Sequence, residues 1–328
     1  MCGLIGLVSR NARHNARFLH GLYNNQDRGT DAYGIVGVSP AGAVNVFKRA
    51  GAVYNSVHKC RFINTAPVLM GHTRFATHGS AGIMINNHPF SVGNVVGMHN
   101  GVISNYQALA TKFGYTLQSQ CDSEVLFHLI NSLESNDGIQ DIIDEVCGYY
   151  VITWVDRRAP QFVNILRGGS STSLSMVEIT GVGYIYSSEK SHLPCFPTDK
   201  SRAINIPLYS LTTIDTAKMK MSVKEFTPAP AGNAYGKDWY SYGWSESDYD
   251  TTGYSTKWDR KKGGKTVNIV DLNKSEDEVF ESTDDINAYY DCNLKSWCDI
   301  ATGVPVAREL VPNGGLLKKE RVHGNGGV

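Results

Sequence analysis

An apolar run, CGLIGLV, begins at the second residue of this chain and reads as a buried strand. Any fold available to the chain must therefore build a sheet from its first residues. A helix is expected over 16–23, and short apolar runs recur at 34–38, 43–47, 68–71 and 92–98, bounded by Gly, Asn and Pro. Around Asp122 the period changes: Val125, Leu126, Leu129, Ile130 and Leu133 recur at helical spacing and predict one apolar helix face. Further strands are expected at 149–155, 162–166, 174–179, 184–186 and near 204–211. Many strands with helices in two groups predict sheets packed between helix layers, and argue against regular βαβ alternation.

Composition narrows the functional classes. The 328 residues are 41% hydrophobic, enough for a real core, so a wholly disordered chain is excluded. Thirty-one basic residues balance thirty-one acidic ones, which removes the electrostatic case for nucleic acid or an anionic membrane as partner. No apolar run approaches the roughly 20 residues that span a bilayer, and the N-terminus lacks the basic region of a signal peptide. The seven cysteines are scattered without a CxxC pair, so a reducing cytoplasm is the economical expectation. Beyond about 225 the texture shifts. Pro228, Pro230 and Gly232 suggest a linker, 235–258 is rich in Tyr and Trp but poor in aliphatics, and 275–312 regains weak helical character. The last residues, LLKKERVHGNGGV, read as a mobile tail.

Five segments carry polar chemistry. Cys2 follows the initiator Met and is small enough for Met1 to be removed, which would set a thiol beside a free α-amine. That amine, with an ordinary pKa of about 7.7–8.0, would lie close to where a general base works best. The segment GHTRFATHG (71–79) fits a strand-to-loop junction as well as a binding segment. The histidines His72, His78, His88 and His99 lack a familiar metal-ligand spacing and a carboxylate companion, so no metal and no cofactor are expected. MHNGVISNY (98–106) fits a turn on Asn-Gly, or an oxyanion hole formed by the Asn100 amide and the Gly101 N–H. CDSEV (121–125) opens the helix. There Asp122 either complements the helix dipole or is held ionised to grip an ammonium group. DRGTDAYG (27–34) is a Gly-punctuated loop with two acids and an arginine.

Taken together and in order, these five segments, with Asn87-His88-Pro89 after GHTRFATHG, resemble the class II glutamine amidotransferases over about residues 2–215. The likeness is greatest to the glutaminase domain of glucosamine-6-phosphate synthase. The resemblance implies a four-layer αββα N-terminal nucleophile hydrolase fold with a poorly defined C-terminal extension. It also implies Cys2 as nucleophile, Asn100 and Gly101 as the oxyanion-stabilising pair, and Arg74 as ligand of the glutamine α-carboxylate, assisted by Thr77 and His78. Asp122 would anchor the α-ammonium, and Arg28 would hold the surroundings of the nucleophile. Phe75 stands where the synthase pattern has Trp, so an aromatic wall remains without an indole N–H.

The implied activity is hydrolysis of the glutamine side-chain amide through a Cys2 thioester, with ammonia passed to an acceptor on a protein partner. About 110 residues after the glutaminase region cannot hold the sugar-isomerase domains of the synthase, and no phosphoribosyl or pyrophosphate signature is legible. The expected organisation is a glutaminase domain over 2–215, a linker and aromatic segment over 216–258, and an extension over 259–328. Two other classes fit less of this pattern: an amide hydrolase of the same fold acting on another substrate, and a non-catalytic assembly module whose contact surface is 235–258.

Overall fold

The first strand is apolar on both faces because both faces are covered. In the computed structural model, which describes residues 2–133, 138–169, 172–195, 197–227, 288–291 and 296–299, strand β1 (Gly3–Ser9) is buried along its whole length. Helix α1 (Asn15–Asn24) follows, then β2 (Ala32–Val38), β3 (Val44–Ala50) and β4 (Val68–Arg74). Next come β5 (Phe90–Val92), β6 (Val95–Ile103), helices α2 (Tyr106–Phe113), α3 (Glu124–Ser132) and α4 (Ile139–Glu145), and the hairpin β7 (Gly148–Asp156) to β8 (Phe162–Gly168). Strands β9 (Ser175–Ile179) and β10 (Gly183–Ser187), the short helix α5 (Pro197–Ser201), and β11 (Ile204–Asn205), β12 (Ser210–Asp215) and β13 (Lys220–Glu225) complete the sheets.

Two antiparallel sheets result. One has seven strands in the order β11-β9-β10-β1-β4-β2-β3, and the other has six in the order β13-β12-β8-β7-β6-β5. Their facing sides interdigitate through Leu4, Val8, Val36 and Met70 from the first sheet and Met98, Val151, Val155 and Ile165 from the second. The outer face of the six-stranded sheet packs on α2, α3 and α4 through Tyr150, Ile152 and Trp154 against Leu109, Val125, Leu126 and Ile142. Ile5 of β1 faces the other way, toward Phe18 and Leu22 of α1 around the space left by Gly71. The layers are thus helix, sheet, sheet, helix, as expected. Strands covered on both faces read as continuous apolar runs, which is why β1, β2 and β4 were legible without alternation. Each large apolar side chain fully buried this way contributes about 1.5–3 kcal/mol.

The structure departs from expectation in places. The run at 204–211 is two strands, β11 and β12, with Pro207 between them, since proline cannot donate to a ladder. The sheet also continues past residue 215, because β13 pairs with β12 from Asp215↔Lys220 to Ser210↔Glu225. Its sequence, KMSVKE, carries two lysines and is mostly exposed, as suits a strand on the sheet edge. Asp238–Val328 is a separate unit, and within 275–312 the expected weak helical character gives way to strand at 288–291 and 296–299, the rest of that span lying outside the described residues. Its described residues form two antiparallel strands, β14 (Ala288–Asp291) and β15 (Ser296–Asp299). Tyr289, Tyr290 and Trp297 favour extended pairing over a helix. The linker at 228–232, the aromatic segment 235–258 and the C-terminal tail lie outside the described residues. No helix among the described residues is long and apolar enough to cross a membrane.

Candidate active site

The site is built where β1, β4 and β6 meet the start of α3. Register places Gly3 opposite Thr73 and Leu4 opposite His72, so Cys2 arrives beside the end of β4. The partly exposed Cys2 thiol lies 3.5 Å from the Phe75 carbonyl, to which it donates. Burial pushes this thiol up from its ordinary value. The Phe75 hydrogen bond and the positive charges of the amino terminus and Arg74 oppose that rise, and the Asp122 carboxylate reinforces it. Cys2 therefore feels both Arg74 and Asp122, the two charged residues that sequence alone had grouped with it.

Arg28 holds the backbone of the nucleophile. Its Nε donates to the Cys2 carbonyl at 2.7 Å, and its guanidinium pairs with Glu189. Gly29 lets this loop lie flat on the end of β4, for a Cβ there would fall 2.3 Å from the Arg74 carbonyl carbon. The contact is sealed by Asp31, whose N–H donates to the Arg74 carbonyl at 3.1 Å and whose carboxylate accepts from the Ala76 N–H at 2.8 Å.

Arg74 is buried, and its guanidinium donates to Asn87 Oδ1 at 2.7 Å, to the Gly79 carbonyl at 3.0 Å and to the His78 carbonyl. It thus fastens the 75–79 loop while presenting fixed positive charge. Phe75 on that loop is 52% exposed, outside the core. Thr77 is exposed and His78 half-buried, with His78 Nδ1 and Thr77 Oγ1 3.2 Å apart.

Asn100 and Gly101 do not form a turn; both lie within β6, opposite Val151 and Tyr150 of β7. Gly101 has φ +147, and a Cβ there would meet the Tyr149 carbonyl oxygen at 2.0 Å. Only glycine fits this twist of the ladder. Asn100 is buried and donates one amide N–H to Ser188 Oγ at 3.2 Å. Asp122 is buried just ahead of α3, and its carboxylate accepts from the Ile103 N–H at 2.8 Å, tying the end of β6 to the helix start.

Three residues that frame the site were not singled out from the sequence. Buried Glu124 accepts from the Gln118 and Ser119 N–H groups at 2.9 and 2.6 Å, shaping the loop that leads to Asp122. Asn86 joins this loop to the one Arg74 fastens, by accepting from the Gln120 N–H at 2.9 Å and donating to the Ser80 carbonyl at 3.1 Å. Ser188 bridges β1 and β6. The available signals were a Glu at a helix start and a polar SSE following an apolar strand, and neither is specific.

Of the four histidines considered as metal ligands, three gather. The His72 and His88 rings are 4.1 Å apart and those of His88 and His99 are 6.4 Å apart, all buried. Burial lowers the His72 pKa to about 3 and holds His88 and His99 below the ordinary value, so the cluster is neutral. Among the described residues no group of three His, Cys, Asp or Glu is arranged to hold a metal ion.

Comparison with known proteins agrees with this geometry. Residues 72–194 match the family described as glutamine amidotransferase domain, a span that includes Arg74, Asn100, Asp122 and Ser188 but not Cys2. The glutamine–fructose-6-phosphate aminotransferase (isomerizing) of Chlorobaculum tepidum is 35% identical over 187 residues, 52% of this chain and 30% of that protein. Its counterpart in Aliivibrio fischeri is 33% identical over 183 residues, 52% of this chain and 29% of that protein. The chain thus spans under a third of the length of these curated relatives. The structure of glutamine phosphoribosylpyrophosphate amidotransferase from B. subtilis shares the fold, with a TM-score of 0.57 at 21% identity over 69% of this chain and 49% of that one. The two-sheet unit of this chain thus contains a match to the glutamine amidotransferase domain family over residues 72–194 and shares the fold of that phosphoribosylpyrophosphate amidotransferase.

Proposed function

We propose that this chain hydrolyses the side-chain amide of glutamine to glutamate and ammonia, with Cys2 as nucleophile, and supplies the ammonia to an acceptor site on a protein partner. The observation that carries the reading is that Cys2 lies beside the end of β4, which bears the buried cation Arg74, while the buried carboxylate Asp122 is tied to the end of β6 that bears Asn100 and Gly101. Those two charges match the two ends of a free amino acid, which favours glutamine over an amide lacking them. The planar guanidinium suits the α-carboxylate, and Asp122 suits the α-ammonium. Thr77, His78 and Phe75, on the loop that follows Arg74, would complete the binding surface.

The chemistry follows from the groups at hand. Removal of Met1 would free the Cys2 α-amine, whose ordinary pKa of about 7.7–8.0 fits a general base near neutrality. A thiol raised by burial needs such a base. The amine takes the thiol proton as sulfur attacks the amide carbon, and the C=O electron pair becomes an oxyanion facing the Asn100 amide and the Gly101 N–H. Return of that pair expels the amide nitrogen, which takes the proton from the amine and leaves as ammonia. Water then adds to the thioester and glutamate departs, restoring the thiol. Arg28 holds the Cys2 carbonyl throughout.

The test is glutamate release from Cys2→Ala and Cys2→Ser, both folded by circular dichroism. Both variants should lose measurable turnover. Wild-type-like turnover from Cys2→Ala would end the proposal, as would full activity in protein shown by intact mass to retain Met1.

A further inference from the structure

Ser188 lies just past the end of β10 and is buried beneath the site. Its backbone N–H donates to the Leu4 carbonyl at 2.9 Å, and its Oγ accepts from the Leu4 N–H at 2.9 Å. The same oxygen accepts from Asn100 Nδ2 at 3.2 Å. One residue therefore grips Leu4, two residues beyond Cys2, with its backbone N–H on the carbonyl and its hydroxyl on the N–H, and the same hydroxyl holds the amide proposed to stabilise the oxyanion. These three residues come from β1, β6 and the turn after β10, parts of two different sheets.

An Asn amide has two N–H donors. Here one is committed to Ser188, which sets the rotation of the amide plane and so the direction of the other. The Asn100 side chain has no additional hydrogen-bond partner among the described residues, so Ser188 is what defines that direction. Burial matters as well, because a hydroxyl in this setting accepts from two donors that water cannot reach, and its loss would leave both unsatisfied.

We infer that Ser188 is a positioning residue for glutamine hydrolysis, locking the Asn100 amide in register with the Cys2 end of β1 so that one N–H faces the developing oxyanion. This rests on the proposed glutaminase activity and adds a residue that touches neither substrate nor nucleophile. A misplacement of about 1 Å in such a group can lower turnover on the order of 100-fold, comparable with the 10²–10³-fold loss when an oxyanion donor is removed.

The experiment is a double-mutant cycle on the full chain with glutamine as substrate. Ser188→Ala is expected to lower kcat on the order of 10- to 100-fold with KM within about threefold of wild type. Asn100→Ala should lower it further, but the double variant should be no slower than Asn100→Ala alone. The cycle with Arg74→Lys should instead multiply, since Arg74 acts on the other end of the substrate. Ser188→Thr, which keeps the hydroxyl, should recover most of the turnover. Should Ser188→Ala not fold, Ser188→Cys, close in size with a weaker acceptor, carries the same cycle. Multiplicative losses for the Ser188 and Asn100 pair, or a Ser188 effect confined to KM, would overturn the assignment. Full turnover from Cys2→Ala would instead overturn the glutaminase reading itself, so the two failures are distinguishable.

Discussion

At the scale of single residues, the site is a set of charges and dipoles held in place before any ligand arrives. Arg74 is committed to Asn87 Oδ1 and to loop carbonyls, and Asp122 to the Ile103 N–H. Neither charge is paired with the other, so each can meet one end of an amino acid. Arg74→Lys keeps the charge but loses the planar fork and three of its fastenings. Asp122→Asn keeps the size and loses the charge. Both should weaken binding of glutamate to the Cys2→Ala protein at least tenfold, measured by titration calorimetry, with the thermal midpoint of Asp122→Asn little altered. Unchanged affinity in both variants would sink glutamine as the substrate and favour another amide. How these residues would cluster was partly legible, because Arg74, Asn100 and Asp122 each sit inside a motif dense in polar groups. Ser188 was not legible, since its partners lie 88 and 184 residues away.

At the scale of elements, α3 and the loop ahead of it carry the acidic half of the site. Val125, Leu126, Leu129 and Ile130 are buried as the helical period required, and they press the helix against the six-stranded sheet. What fixes its start is Glu124, whose carboxylate takes up the Gln118 and Ser119 N–H groups, since Ser123 makes no side-chain cap bond. Glu124→Ala would remove the acceptor of these part-buried hydrogen bonds, at about 1 kcal/mol for each. Urea denaturation should show the lowered midpoint, and glutamine KM should rise because Asp122 is two residues upstream. Glu124→Gln, which keeps an acceptor, should lie between the two. A Glu124→Ala protein of unchanged midpoint and KM would show that the loop holds its shape without this side chain. The oxyanion strand behaves differently. In β6 the Asn-Gly pair looks like a turn locally, and only pairing with β7 on both sides keeps it extended.

At the scale of the whole molecule, the stack of buried imidazoles ties global stability to pH. His72 is lowered to about 3 and His20 to about 4 by burial, and His88 and His99 are also lowered. In the unfolded chain these groups protonate near 6.5. Between those values the unfolded state binds more protons, so stability rises with pH. It is fully present above about 6.5 and is lost progressively as pH falls toward the folded values. The thermal midpoint should drop from pH 7 to pH 4, and the slope should be shallower in His72→Gln; equal slopes would mean His72 is not held neutral. The extent of the folded unit makes a second whole-molecule prediction. Phe226 packs on the helical core and Thr227 bonds to Gln140, whereas among the described residues neither sheet has a strand beyond Glu225. Truncation after Thr227 should therefore preserve the fold and glutamine hydrolysis, assayed by circular dichroism and glutamate release. Loss of hydrolysis in a folded truncation would place part of the site beyond residue 227.

Local pattern was enough to determine the layered class of this protein. Continuous apolar runs such as CGLIGLV can be satisfied only by burial on both faces, and the 3.6-residue period after Asp122 can be satisfied only by a helix on a core. The order of the polar motifs was likewise written in the chain. Tertiary structure alone decided where each polar group points. The fastening of Arg74, the grip of Arg28 on the Cys2 carbonyl, the extended Asn100-Gly101 pair and the Ser188 bridge all arise between strands distant in sequence. The physical reason is that a buried polar group takes its orientation from whichever partners packing brings within hydrogen-bond reach, and those partners are set by sheet order rather than by neighbouring residues.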